Sequence, residues 1–529
     1  MLSPREINLN LFTSPYIKID LAARNLARVD ELQTGNLSQG QKLSLFLIAV
    51  VFLVAAILVA LTRIPWCDEA WFACAGSNLA AQGKLITPLI AAAPDDPKTI
   101  GLGRHTYWVM PLNLVFQAGW YKLFGFSLFT LRSVSILWGS VALVSWFLIM
   151  RALTGDVRTA ILCAGLLGSD YVFILRAADG RMDMMGAALG YAALAAYLVL
   201  RSRSLDLAVL CSNSLVVLSG LTHPNAGLLS LAGVAFLMSH YDRGSMHARQ
   251  AALMAIPYLV GGAGWGLYIS EDPKLFLTQF GGNAGHRLSG FLTPWHALQR
   301  EIAERYLPAF GFQPGAPAAA EIKLLLLLGY AVGLVGTLSV RELRRRDGVR
   351  VLLILTAIHL LFLTLLDSAK QPAYLIYSIP FFGAVLAVWI LWCWNRPSMP
   401  RGVVALAVAA FICLQLGGVA RLVTQNRYRG SYKEAAAFLT AHATPADLVM
   451  GEPELGFTRG FDGSFVDDRR LGYYSHKIPR FIIAGEDYKH SFEKFRSERP
   501  EIAQYIAALL ASQYRMVFEN DTYTIFARE

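Results

Sequence analysis

The run from Leu43 to Thr62 carries no charged residue. A helix rises ~1.5 Å per residue, so this run is long enough to cross a ~30 Å hydrocarbon core. The residues before it are mixed polar and include Arg5, Glu6, Lys18, Asp20, Arg24, Arg28, Asp30 and Glu31. That flank is wrong for a cleavable signal sequence, so the run is expected to remain as a membrane span. It stops at Arg63-Ile-Pro-Trp-Cys-Asp68-Glu69-Ala-Trp71, where two adjacent carboxylates fall just outside the apolar stretch. Asp68 can be an N-cap of the next helix, as Asp often is, or a residue placed at the membrane surface for chemistry.

The rest of the chain repeats the pattern. It is 55% hydrophobic and only 16% charged, well above the apolar share of an ordinary globular chain. Further spans are expected near 128–150, 157–175, 184–200, 206–222, 224–240, 251–269, 322–340, 350–366, 373–394 and 402–421, about eleven with the first. The net charge of +10 invites a nucleic-acid reading, but its location argues otherwise. Arg151 with Arg158, Arg201-Ser-Arg203, Arg243 with Arg249, the Arg341–Arg350 cluster, and Arg396 with Arg401 fall in alternate connectors. Segments between them mix both signs, which is the positive-inside pattern. With residues 1–42 cytoplasmic, the outer loops are 63–127 and 270–320, the membrane part is 43–425, and the tail 426–529 lies outside.

Within loop 63–127, Asp68 to Gln82 and Tyr107 to Phe124 read as amphipathic helices lying along the membrane surface. Loop 270–320 holds Gly281-Gly-Asn-Ala-Gly-His-Arg-Leu-Ser-Gly290 and Pro314-Gly-Ala-Pro317, turn-forming stretches of a connector or of a loop that closes over a ligand. The six cysteines make no disulfide framework; four lie in apolar segments, and Cys67 and Cys74 read as packing residues. In the tail, 432–442 reads as a helix and 447–450, 514–518 and 523–527 as strands, a small α/β domain.

Charges inside or against a bilayer are costly unless paired or solvated, so they point to function. Arg176, Asp179, Arg181 and Asp183 fall between the third and fourth spans. Lys370 and Tyr374 open the tenth; on a helix they would share a face and could hold an anionic headgroup. Thr222-His223-Pro-Asn225 is a polar turn that could line a cavity. All of these belong to the outer side on the charge topology. Each has a plain structural reading too: an Arg–Asp pair joining helices, a snorkelling lysine, a satisfied turn histidine. Cations there suit a lipid-linked phosphate, and a carboxylate suits activation of a hydroxyl.

In order along the chain, Trp66-Cys-Asp68-Glu69-Ala-Trp-Phe-Ala, Asn78-Leu-Ala-Ala-Gln-Gly83, Tyr107-Trp108, Lys122-Leu-Phe-Gly125, Leu131-Arg132-Ser, Arg181-Met-Asp183, Gly220-Leu-Thr-His-Pro-Asn and Lys370-Gln-Pro-Ala-Tyr374-Leu resemble the membrane-embedded C-type (GT-C) glycosyltransferases that use polyprenyl-phosphate sugars. These include protein O-mannosyltransferases and the aminoarabinose–lipid A transferases. The resemblance implies a polytopic α-helical GT-C fold and inverting transfer of a sugar from a polyprenyl-phosphate donor to a lipid, glycan or protein acceptor. It implies Asp68, with Glu69 and Asp183, as catalytic acids, and Lys370, Tyr374 and Arg181 at the donor phosphate. A Lys-Pro pair common in relatives is replaced by Gly101-Leu-Gly-Arg-His-Thr106, which makes Arg104 or His105 the substitute cation. His223, Asn225, Asp179 and Arg176 are cavity-lining candidates. The sequence requires no cofactor; a divalent metal at Asp68 and Asp183 is compatible with the acids, though no ligand set demands one. The implied setting is a bacterial inner membrane among membrane lipids, without nucleic acid. The rival class is a lipid or solute transporter, against which stand the gathering of charges at one surface and the hanging soluble domain.

Overall fold

The structure, a computed structural model, describes residues 37–285, 287–312 and 318–529. Most of the expected segment 1–42 and the Pro314–Pro317 stretch lie outside those residues, as does His286.

Helices occupy all of the expected spans. They are α1 (Gln39–Thr62), then α4 (Leu128–Thr154), α5 (Val157–Gly168), α6 (Tyr171–Ala177), α7 (Asp183–Leu200), α8 (Leu205–Thr222), α9 (Pro224–Asp242) and α10 (Ala248–Ile269). After loop 270–320 come α11 (Leu324–Ser339), α12 (Asp347–Leu366), α13 (Ile379–Trp394) and α14 (Arg401–Gln425). The surface helices α2 (Cys67–Gln82) and α3 (Leu112–Phe124) lie between α1 and α4. Among the described residues seven helices are long and apolar enough to cross a membrane, and the bent pair α5–α6 makes an eighth; α11 and α13 are apolar but shorter, and α9, at the span expected near 224–240, is long but less apolar. The protein is an integral membrane protein.

Three elements depart from the sequence reading. The span expected at 157–175 is broken by 66° between α5 and α6. Asp170 sits at the break, accepting the Phe173 amide at 2.7 Å, so the start of α6 is capped. The segment expected as helix from 107 begins only at Leu112, because Tyr107 and Trp108 are buried in the loop ahead of it. The tenth span begins at Ile379, and residues 372–377 form a tighter 3₁₀ turn instead.

Ion pairs gather the Arg-bearing connectors at one end of the bundle. Arg201 meets Asp242 at 2.8 Å, Arg249 meets Asp206 at 2.6 Å, His240 meets Asp347 at 3.3 Å, and Arg396 meets Glu342. The α4–α5 connector joins them: Gly348 packs so tightly on the Leu153 carbonyl that an added Cβ would stand 1.7 Å from its oxygen. The acid-bearing segments meet at the other end.

The tail contains a five-stranded sheet in the order β2-β1-β3-β5-β4, with β1 (Val449–Gly451), β2 (Phe465–Val466), β3 (Phe481–Ala484), β4 (Tyr514–Glu519) and β5 (Thr524–Arg528). β1 runs parallel to β2 and β3, and β5 is antiparallel to β3 and β4. Helices α15 (Lys433–His442), α16 (Glu486–Glu498) and α17 (Pro500–Gln513) complete it. The short β2 and β3 carry no alternating pattern, which is why the sequence did not reveal them. This domain clasps the first outer loop. Asp467 exchanges backbone bonds with Leu89 (2.7 Å) and Ala91 (2.9 Å), its carboxylate accepts the Trp71 indole N–H at 2.8 Å, and Arg470 pairs with Asp95 at 2.7 Å.

Candidate functional site

Adjacent helical residues point about 100° apart, so Asp68 and Glu69 cannot serve the same space. Helix α2 starts at Cys67, and Glu69, not Asp68, reaches back to the Trp66 amide at 3.3 Å. The cap reading of Asp68 is therefore replaced by a first-turn position. The Glu69 side chain is 0% exposed and grips Arg132 of α4 through both oxygens at 2.7 Å. It also accepts the Gly180 amide at 2.9 Å. Gly180 has no room for a side chain, since a Cβ there would lie 2.5 Å from Leu131 and 3.1 Å from the Glu69 carboxylate. Arg132 turns its remaining N–H groups to the carbonyls of Ala60 (2.6 Å) and Arg63 (3.0 Å), satisfying the end of α1. Burial pushes the Glu69 carboxyl up, but the charge and hydrogen bonds of Arg132, with Arg63 and the Gly180 amide, outweigh it and hold it below its ordinary value.

Asp68 is 20% exposed at its side chain and faces Arg181. Its Oδ2 takes an Arg181 N–H, while Oδ1 meets, among the described residues, only the Cys67 thiol, at 3.8 Å. Arg181 then bonds Asp183 through Nε at 2.5 Å, and the second Asp183 oxygen stands 3.8 Å from His223 Nε2. His223 Nδ1 accepts the Asn225 amide at 3.2 Å, which places the ring proton on Nε2, 3.1 Å from the Tyr374 hydroxyl. Arg287 of the long loop donates to that hydroxyl at 2.9 Å. A line of polar side chains thus runs Asp68–Arg181–Asp183–His223–Tyr374–Arg287, hydrogen-bonded except across the 3.8 Å between Asp183 and His223, and comes from five separate stretches of sequence.

Not every polar atom along it is used. Asp183 Oδ1 and, beside the line, Asn225 Nδ2 and the Tyr377 hydroxyl are buried without a hydrogen-bond partner among the described residues. Such groups are rare in folded proteins and call for a ligand or water.

The remaining candidates lie apart from the chain. Arg176 and Asp179 bond each other at 2.9 Å, with Arg63 and the Trp66 indole completing the Asp179 carboxylate, a neighbouring ion cluster. Arg104 is 70% exposed at its side chain and 3.8 Å from Asp272, and His105 stands 3.4 Å from Glu271. Neither has a contact with the chain. Lys370 and Tyr374 do not share a face: Lys370 takes a left-handed backbone (φ 51°) and sends its ammonium to Glu301 at 3.0 Å, away from Tyr374. Asp68 and Asp183, the two acids weighed as metal ligands, are joined through the Arg181 guanidinium. Among the described residues no group of three or more His, Cys, Asp or Glu side chains comes together to hold a metal ion. All six cysteines are free.

Neither Arg287 nor Tyr377 stands out in the sequence. Arg287 sits in a loop of balanced charge with nothing local to distinguish it, and Tyr377 is one of many interfacial tyrosines. Arg132 had a readable signal, an arginine within an otherwise apolar span.

No family model matches the chain, and no curated protein matches it. Solved structures do. ArnT from Cupriavidus metallidurans bound to undecaprenyl phosphate aligns over 93% of this chain and 98% of its own, with TM-score 0.59 at 15% identity. Its apo state aligns over 91% and 97%, with TM-score 0.55 at 14% identity. The apo oligosaccharyltransferase of Archaeoglobus fulgidus aligns over 88% of this chain and 69% of its own, with TM-score 0.50 at 12% identity. The chain has the GT-C fold. The architecture expected from the ordered motifs is the one observed.

Proposed function

We propose that this protein is an inverting, membrane-embedded glycosyltransferase that moves a sugar from a polyprenyl-phosphate donor to an acceptor hydroxyl or phosphate. The observation that supports it most is the polar chain itself: an accessible carboxylate at one end, a tyrosine–arginine pair at the other, and unused buried acceptors and donors between them. In the reading that follows, the acceptor group binds at Asp68 Oδ1, the less engaged oxygen. Asp68 takes the acceptor proton as the new oxygen–C1 bond forms. The C1–phosphate oxygen bond breaks with its electron pair leaving on the polyprenyl phosphate. Arg287 and the Tyr374 hydroxyl receive that charge, and Lys370 lies one loop away as a further cation. Arg181 pairs with Asp68 and links it to Asp183, which with His223 lines the sugar space. Glu69 acts as a positioning residue: it fixes Asp68 through the shared helix turn and Arg181 through Gly180.

Arg104 and His105 are assigned no contact with the donor in this reading, and Arg287 supplies the cation instead. The C-terminal domain and the site would face the outer side of a bacterial inner membrane, with the N-terminus cytoplasmic. The test uses purified protein, a radiolabelled polyprenyl-phosphate sugar and a membrane extract. Label should move to the extract with wild type and not with Asp68→Asn. Labelled lipid that crosses vesicles unchanged would instead identify a transporter.

A further inference from the structure

Lys370 belongs to a closed set of four buried charges. Its ammonium meets Glu301 Oε2 at 3.0 Å and donates to the Thr364 carbonyl at 2.5 Å, and both the Lys370 and Glu301 side chains are 1% exposed. Arg305 bridges Glu301 (2.7 Å) and Asp367 (2.5 Å), and the Gln371 amide also bonds Asp367, at 3.1 Å. Two acids balance two cations, so a phosphate entering without the departure of an acid would leave a buried net negative charge.

The four charges differ in how firmly they are built in. Asp367 ends α12 and Lys370 follows it within one tight connection. Glu301 and Arg305 come from the long loop, where residues 301–306 form a π-helical turn, a local irregularity that often marks functional sites. Lys370 itself holds a left-handed backbone, a region unfavourable for a residue with a Cβ. Arg305 Nε and Asp367 Oδ1 are buried without hydrogen-bond partners among the described residues, so one donor and one acceptor are already unspent. The set also adjoins the polar chain, since the Ser368 amide bonds the Arg287 carbonyl at 3.3 Å.

We propose that Glu301 is a stand-in anion. Its carboxylate occupies Lys370 while the donor site is empty, and the lipid-linked phosphate displaces it, freeing Lys370 for the phosphate and moving the 301–306 turn. The exchange conserves the local charge balance, one anion for another, which is the physical reason a carboxylate can serve. The inference rests on the assignment of Lys370 to the donor phosphate.

The test is a titration of the full-length purified protein with undecaprenyl phosphate, read by tryptophan fluorescence and by the melting temperature of the complex. Removing the competing charge in Glu301→Gln should tighten binding about 5-fold or more, the scale of a coupling between two occupants of one site. Lys370→Gln should weaken binding, and Glu301→Gln/Lys370→Gln, which restores charge balance, should bind no better than Lys370→Gln alone. Equal or weaker binding by a Glu301→Gln protein that melts like wild type would overturn the inference. If that variant melts lower, Glu301→Asp decides: it keeps the charge but shortens the reach, and it too should bind more tightly, with unchanged or weaker binding overturning the inference. Wild type that binds no undecaprenyl phosphate overturns both this inference and the donor assignment. Wild type that binds while Lys370→Gln binds equally overturns the role of Lys370 and this inference with it, and leaves the lipid-phosphate donor standing.

Discussion

Two buried polar clusters in this protein look alike in composition and differ in completeness. At the bend between α5 and α6, Asp170 accepts the Phe173 amide on one oxygen and the Tyr330 hydroxyl and Gln415 amide (2.8 Å) on the other, while Gln415 accepts the Tyr171 amide at 2.8 Å. Every oxygen of both side chains is engaged within the protein. The chain from Asp68 to Arg287 is as buried over much of its length, yet it leaves Asp183 Oδ1, Asn225 Nδ2 and the Tyr377 hydroxyl unspent. A complete network fixes a shape, here the angle of a broken span. An incomplete one carries a standing cost that a bound molecule can relieve. Burial of charge therefore does not separate these two clusters; leftover bonding capacity does.

The contrast can be broken most sharply at Asp68. Asp68→Asn should lower transfer by roughly 100- to 10,000-fold, the usual worth of a positioned base, with an unchanged melting temperature. A change in stability with little change in rate would put Asp68 with the structural cluster. Next, Arg287→Gln removes a charged hydrogen bond worth about 1.5–3 kcal/mol. Steady-state kinetics should show it as a KM for the lipid donor raised roughly 10- to 100-fold, with kcat less affected. At the structural cluster, Asp170→Ala strands buried donors and should cost about 1–3 kcal/mol of stability in thermal unfolding. Transfer per folded molecule should stay within a few-fold of wild type. The smallest effect on transfer belongs to the domain that clasps the first loop. Burial, together with Asp487 and Asp467 nearby, pushes the Glu452 carboxyl up to about 8, against an ordinary 4.5. Between those values the unfolded chain has released the proton and the folded protein retains it, so stability falls as pH rises through the window. Melting temperatures taken from pH 5 to pH 8.5 should decline, and Glu452→Gln should flatten that slope.

Much of the fold could be read because a bilayer demands long uncharged helices, and eleven such segments stand out in the sequence. The break at Asp170 is marked in the sequence only by Gly168-Ser-Asp170 between two apolar stretches, and its angle is held by Tyr330 and Gln415, far along the chain. The tail strands at 449–451 and 524–528 showed the expected apolar character, but β2 is two residues long and has no period to detect. In the site, Asp68, Arg181, Asp183, His223 and Tyr374 could be named from charge and position near span ends. Their division of labour could not. Nothing in the sequence says that Glu69 turns inward to Arg132 while Asp68 turns outward, or that Lys370 spends its charge on Glu301 while Arg287 reaches Tyr374.

The sequence by itself determined that this chain enters a membrane many times, which connectors carry the positive charge, and which polar groups interrupt the apolar runs. Those are properties of composition along the chain, and transfer free energy reads them residue by residue. Tertiary structure alone decided which of those groups meet. A contact such as His223 with Tyr374 or Glu69 with Gly180 depends on how separate helices pack, and the pairing of charges across more than a hundred residues leaves no local trace. The acid pair at the end of the first span could be found without a structure, but only the fold divides it into one carboxylate that holds the site together and one that faces it.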